Sequence, residues 1–217
     1  MTILYRDEAI AVCIKPAGVL STDEAGGMPE LLRAALGVGE VRSVHRLDRV
    51  VSGLMVYALS APAASALSAS VREGRFHKEY LAVLHFRPHE EAGTLRDLLW
   101  RDPAERKTRV VKAPGKDVRE ALLDYELLGW ERGLSLVRVT LRTGRTHQIR
   151  AQFSSRGLPL WGDKKYSRWP DEGPIALWSA RLAFPHPLTG EALDFSAPPP
   201  EAEPWPRFAG VCDAPSQ

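Results

Sequence analysis

Lysine is scarce in this chain: of 29 basic residues only seven are Lys and 22 are Arg, and the net charge at neutral pH is just +2. So small an excess of positive charge cannot coat a polyanion over a whole surface, so any contact with nucleic acid must come from a local patch. Guanidinium groups grip phosphate bidentately and stack on bases, although an arginine excess follows equally from a GC-rich coding sequence. Cysteine is nearly absent. Cys13 and Cys212 stand near opposite ends of the chain, which excludes a disulfide framework and a thiolate metal cluster and leaves both as free thiols, Cys13 as a core residue. No run approaches about eighteen apolar residues, and no charged leader precedes an apolar segment, which points to a cytoplasmic protein away from membranes. A dinucleotide glycine fingerprint, a Walker loop and zinc-ligand spacing are also missing, so neither a cofactor nor a metal is expected.

What is present suffices for a core. The chain has 217 residues and is 44% hydrophobic, which fits one domain over 1–217. Alternating apolar residues predict strands at 1–5 and 9–14, a buried strand at 53–59, a further strand at 76–86, and a pair at 120–128 and 134–141 around a turn at 129–133. Strands at 175–184 and 192–195 complete the set. Helices are expected at 29–36, stopped by Gly37, at 61–73 behind an Ser60 cap, and at 146–156, with Thr146 as N-cap and Gly157 past the end. Residues 87–119 read as a solvated charged loop, with a β excursion or an RNA-facing insert as alternatives, because 101–119 hold seven Lys or Arg against three Asp or Glu. The tail from 197 is rich in proline and should wrap the surface or be mobile. Strands in hairpin order give an α+β class with a largely antiparallel sheet.

Two segments carry chemistry. In His45-Arg46-Leu47-Asp48-Arg49-Val50-Val51-Ser52-Gly53-Leu54, one carboxylate stands among three potentially cationic side chains. Such surroundings favour the ionised form and suit Asp48 to a nucleophilic or electrostatic role, although a surface ion-pair network has the same composition. In Arg142-Thr143-Gly144-Arg145-Thr146-His147-Gln148-Ile149-Arg150, an alternating run closes at a glycine and opens a helix, which would aim free amides at an anion. An ordinary strand-turn-helix with solvated arginines is the plain alternative.

Together with Lys15-Pro16-Ala17-Gly18, Lys78-Glu79-Tyr80-Leu81-Ala82, Gly162-Asp163-Lys164-Lys165-Tyr166 and His186-Pro187-Leu188-Thr189-Gly190, these segments resemble, in content and order, the RluA family of RNA pseudouridine synthases. Val51 stands where that family usually has Thr, and Gln152-Phe153 where a His-Met pair is common. The resemblance implies the pseudouridine synthase catalytic fold: a bent, mixed, mainly antiparallel sheet with flanking helices and a central cleft. The blocks begin by Lys15, so the N-terminal S4-type domain that some relatives carry is not expected.

The resemblance also implies roles. Asp48 is the catalytic carboxylate, as nucleophile or as the base that opens a glycal route. Tyr80 is the active-site tyrosine that stacks on the target base, and Arg150 the arginine that pairs with the catalytic Asp. Arg46 helps fill the space left by a flipped base. Lys15, Arg145, His147 and Gln148 are expected among the RNA contacts, the last three through backbone positioning or packing. The expected partner is a structured RNA, a ribosomal or transfer RNA stem-loop, bound by a monomer. A catalytically inactive RNA-binding protein on the same fold would not need Asp48, Tyr80 and Arg150 together. A glycosidase would want two cooperating carboxylates.

Overall fold

A computed structural model describes residues 1–211; Cys212, expected as a free thiol, lies outside them. Along the chain run β1 (Thr2–Arg6), β2 (Ile10–Lys15), α1 (Met28–Leu36), β3 (Arg42–Ser43), β4 (Ser52–Ala58) and α2 (Ala61–Arg72). Then follow β5 (His77–His85), β6 (Ala92–Asp102), β7 (Lys107–Val111), β8 (Val118–Glu131), β9 (Leu134–Leu141), α3 (Gln148–Ser154), β10 (Leu177–Pro185) and β11 (Ala192–Ser196). The class is α+β; β4 and β10 run parallel, while β1–β2, β2–β4, β3–β4, β5–β9, β6–β7, β6–β8, β8–β9 and β10–β11 pair antiparallel.

The described residues divide into two compact units, the first made of 1–78 and 178–197 and the second of 79–177 and 198–211. In the first, β1, β2, β4 and β10 lie side by side, with β3 on β4 and β11 on β10. Ile10, Val12, Leu54 and Val56 alternate onto one face and meet Ala63 and Leu67 of α2, with Phe76, Leu182 and Phe184 closing the core. Full burial of each large apolar side chain contributes about 1.5–3 kcal/mol. Ser60 caps α2 as expected, its hydroxyl accepting from Ala63 N at 3.3 Å. Gly37 ends α1 in the left-handed conformation, φ 66°.

The second unit is an antiparallel array in the order β5, β9, β8, β6, β7, with α3 packed on β6 and β7. Residues 92–111, expected as a solvated loop, are instead the β6–β7 excursion. Leu95 and Leu99 face inward on one side of the strand, and ion pairs tie the strands together, Arg96 of β6 with Glu120 of β8 and Arg109 of β7 with Asp102 of β6. The β8–β9 turn is tighter than 129–133: Arg132 and Gly133, at φ 47° and 83°, form the two-residue connection that matches strand twist. The proline-rich segment does not dangle over its described part. Trp205 and Phe208 are buried in a 3₁₀ turn, and the Phe208 ring lies against Gly129 of β8.

Candidate active site

The Asp48 segment belongs to the first unit and enters β4 through Ser52 and Gly53. Gly53 has φ 120°, and a Cβ there would lie 2.5 Å from both the N and O of Ser179, its parallel partner on β10. Only glycine allows that approach. The loop before it is held from several sides. Val51 N donates to Asp48 O at 3.0 Å. The Ser21 hydroxyl donates to Leu47 O at 2.9 Å and accepts from Leu47 N at 3.3 Å. Gly18 N donates to Arg49 O at 2.8 Å, and Arg49 Nε returns a bond to Gly18 O at 2.7 Å.

Lys15 completes this frame. Its ammonium donates to the carbonyls of Pro16, Val19 and Arg49 at 2.9, 2.8 and 3.2 Å, and the side chain is fully buried. Burial lowers its pKa to about 8, a shift opposed by the Asp48 charge nearby. Lys15, expected as an RNA contact, is therefore a clamp between the Lys-Pro-Ala-Gly loop and the Asp48 loop, with all three ammonium donors directed at backbone. His45 is not one of the cations around Asp48. It is buried against Phe76, Nε2 accepts from Val56 N at 3.1 Å, and burial, assisted by the Lys78 charge, depresses its pKa to about 3. The cations beside Asp48 in sequence are thus Arg46 and Arg49, both exposed.

In the second unit, Tyr80 sits on β5 opposite Val139 and is 4% exposed. Arg150 lies on α3. Its Nε and Nη2 donate to Asp163 Oδ2 and Oδ1 at 2.8 and 2.7 Å, a bidentate fork between two buried groups. Asp163 Oδ1 also accepts from the amides of Lys165 and Tyr166 at 3.0 and 3.2 Å. Gly162, before it, has φ 73°, and a Cβ there would meet Pro174 O at 2.5 Å. The Arg150 guanidinium lies 5.0 Å from the centroid of the Tyr166 ring. The Tyr166 hydroxyl accepts from Thr108 N at 2.7 Å and stands 2.9 Å from His147 Nδ1. Burial raises the Tyr166 pKa, while the Thr108 amide and Arg150 act the other way.

The anion site expected at 144–148 is occupied by the chain itself. Helix α3 begins after His147, which has φ 54°, and Thr146 is not the N-cap. Gln148 is 3% exposed; its Oε1 accepts from Arg145 N at 2.9 Å and from the Thr143 hydroxyl at 2.8 Å, and its Nε2 donates to Leu122 O. It closes the turn internally. Arg145 is exposed, with Nε on Glu120 O. Asp163, Tyr166, Thr108 and Ser21 had no role assigned from sequence. The Gly162–Tyr166 block did contain the signal, since a carboxylate directly after a glycine is suited to a tight, side-chain-bonded turn. Among the described residues no helix is long and apolar enough to cross a membrane.

Residues 9–155 match the family profile described as RNA pseudouridylate synthase. The chain is 33% identical to the dual-specificity RNA pseudouridine synthase RluA of Pasteurella multocida, over 92% of this chain and 93% of that protein. It is 31% identical to the ribosomal large subunit pseudouridine synthase D of Zymomonas mobilis, over 93% and 70%. Among solved structures, human RNA pseudouridylate synthase domain containing 1 superposes with a TM-score of 0.78 at 26% identity, covering 92% of this chain and 83% of the other.

Proposed function

The chain belongs to the RNA pseudouridylate synthase family, and on that premise we propose that it isomerises a particular uridine of a structured RNA with Asp48 as the carboxylate that acts at the ribose. Pseudouridine formation breaks the C1′–N1 bond, turns the uracil and joins C1′ to C5, while the proton of C5 is lost and N1 gains one. No atom is added or removed overall, and the Asp48 carboxylate is regenerated whether it attacks C1′ or abstracts a ribose proton.

The observation that carries the reading is the framing of the Asp48 loop. Ser21, Gly18 and Lys15 hold Leu47 and Arg49 on either side of it, so the carboxylate is presented from a fixed backbone, as positioned catalysis requires. Arg46 stacks in the space left by the flipped base, a role its exposed guanidinium can fill. Tyr80 supplies the ring beneath the uracil, and Arg150, oriented by Asp163, supplies charge for the carboxylate. Pairing and stacking must be given up before the base can turn, which favours a loop nucleotide. The large-subunit relative directs the search to ribosomal RNA first, and transfer RNA stem-loops offer the same unpaired loop uridines.

The test is tritium release from unmodified ribosomal and transfer RNA transcripts labelled at uridine C5, because C5 loses its hydrogen when it bonds to C1′. The parent protein releases tritium. Asp48→Asn releases none and keeps RNA affinity within a few-fold. Release by Asp48→Asn at the parent rate removes the assignment, and RNA binding without release by either protein makes the chain a binding protein on this fold.

A further inference from the structure

One cavity of the second unit takes no part in the chemistry above. It has a volume of about 420 Å³, and its walls include Phe86, Lys107, Lys165, Tyr166, Arg168 and Trp169. Phe86 and Trp169 are 47% and 42% exposed. Trp169 stacks on His85 with ring centroids 5.4 Å apart and 25° between planes, and meets Phe86 edge-on at 5.6 Å. The platform underneath is fixed: His85 Nε2 lies 2.8 Å from Asp171 Oδ2, which also accepts from Gly162 N at 2.9 Å. Phe86 has φ 67°, a conformation unfavourable for a bulky side chain, and is held in it by Phe86 N donating to Gly133 O and by the Ser135 hydroxyl donating to Phe86 O. Asn or Gly would adopt this backbone more readily, so what the position gains is an exposed aromatic ring.

The charge of the walls has one sign. Lys107 Nζ stands 4.9 Å from the Tyr166 centroid, Lys165 Nζ bonds the carbonyls of Glu105 and Arg106, and Arg168 is exposed. No wall residue is acidic. Three carboxylates that bond or neighbour wall residues are themselves paired, Asp171 with His85, Asp163 with Arg150 and Glu105 with Arg109. Exposed rings among cations, with no competing carboxylate, are the chemistry that binds single-stranded nucleic acid. Tyr166 is shared with the Arg150 cluster.

We infer that this groove holds an unpaired nucleotide of the substrate RNA other than the reacting uridine, its base stacked on Trp169 and Phe86 and its phosphates drawn by Arg168, Lys107 and Lys165. The inference rests on the RNA isomerase reading for the identity of the polymer, and a binding measurement separates the two.

The probe is a fluorescein-labelled oligouridylate of about ten nucleotides, followed by anisotropy in the Asp48→Asn background so that no chemistry intervenes. Trp169→Ala weakens binding about tenfold, and Trp169→Phe restores most of it, which separates stacking from a folding defect. Arg168→Ala reduces the slope of log affinity against log salt by about 0.7. UMP in millimolar excess does not compete. With Asp48 intact, Trp169→Ala raises KM for RNA and leaves kcat within about twofold. Unchanged oligouridylate affinity in both Trp169→Ala and Arg168→Ala overturns the groove. Competition by UMP reassigns it to a free nucleotide, and capture of a protein through Trp169 with unaltered oligouridylate affinity reassigns it to a protein partner. If the parent releases no tritium while Trp169→Ala still loses oligouridylate binding, the isomerase reading fails and the groove stands.

Discussion

Asp163 and Arg150 are joined by two hydrogen bonds of 2.8 and 2.7 Å, and their side chains are 0% and 6% exposed. Breaking such a pair from one side costs about 3–5 kcal/mol, because a buried charge loses its compensation. Asp163→Asn is therefore expected to lower the denaturation midpoint sharply and to reduce tritium release. Arg150→Met should spare RNA affinity more than turnover. Equal losses of affinity and turnover in Arg150→Met would make that arginine a phosphate contact.

Tyr80→Phe keeps the ring on β5 and removes only the hydroxyl. RNA affinity should stay near the parent value while kcat falls. A fully active variant would leave stacking as the whole contribution of the side chain.

His45 offers a pH signature. Its pKa is about 3 in the folded protein against 6.5 for the free side chain, so below pH 6.5 the unfolded chain binds a proton that the native state refuses. The stabilisation is complete above pH 6.5 and is lost as pH falls toward 3, by about 1.4 kcal/mol per pH unit. Denaturant melts from pH 7 to 4 should show the parent losing stability relative to His45→Gln at about that slope. Parallel curves would mean that His45 takes up its proton without unfolding.

Gly53→Ala puts a methyl group 2.5 Å from the Ser179 backbone at φ 120°. Strand β4 or β10 must shift, and the Asp48 loop shifts with it. Loss of turnover should accompany a lowered melting temperature, whereas a stable and active variant would show that the close approach is dispensable.

Sequence periodicity located nearly every element of the first unit, because its strands are apolar on one face and its helices carry plain signals, a start at Ser60 and stops at Gly37 and Gly74. It failed at β6 and β7. There the inward face includes Asp97, which binds Gln152 and Arg156, and a polar residue at a core-facing position erases the alternation. The Asp48 loop was legible as a motif but its scaffold was not. Lys15 and Ser21 reach it across 34 and 26 residues of sequence, a separation that local pattern does not register. The turn before α3 misled for a related reason: a helix opening with free amides looks the same in sequence whether an anion or the chain's own side chain, here Gln148, fills it.

The enclosure of Lys15 gives the protein a built-in reporter. Its amine has no face toward solvent, whereas Lys112 and Lys116 are exposed. An acylating reagent applied to the native protein modifies those two at once and reaches Lys15 only when the segment carrying Leu47 to Arg49 lifts away from Gly18. The rate at which the Lys15 peptide gains mass is thus a clock for the breathing of the loop that carries Asp48. It can be read without RNA and without turnover.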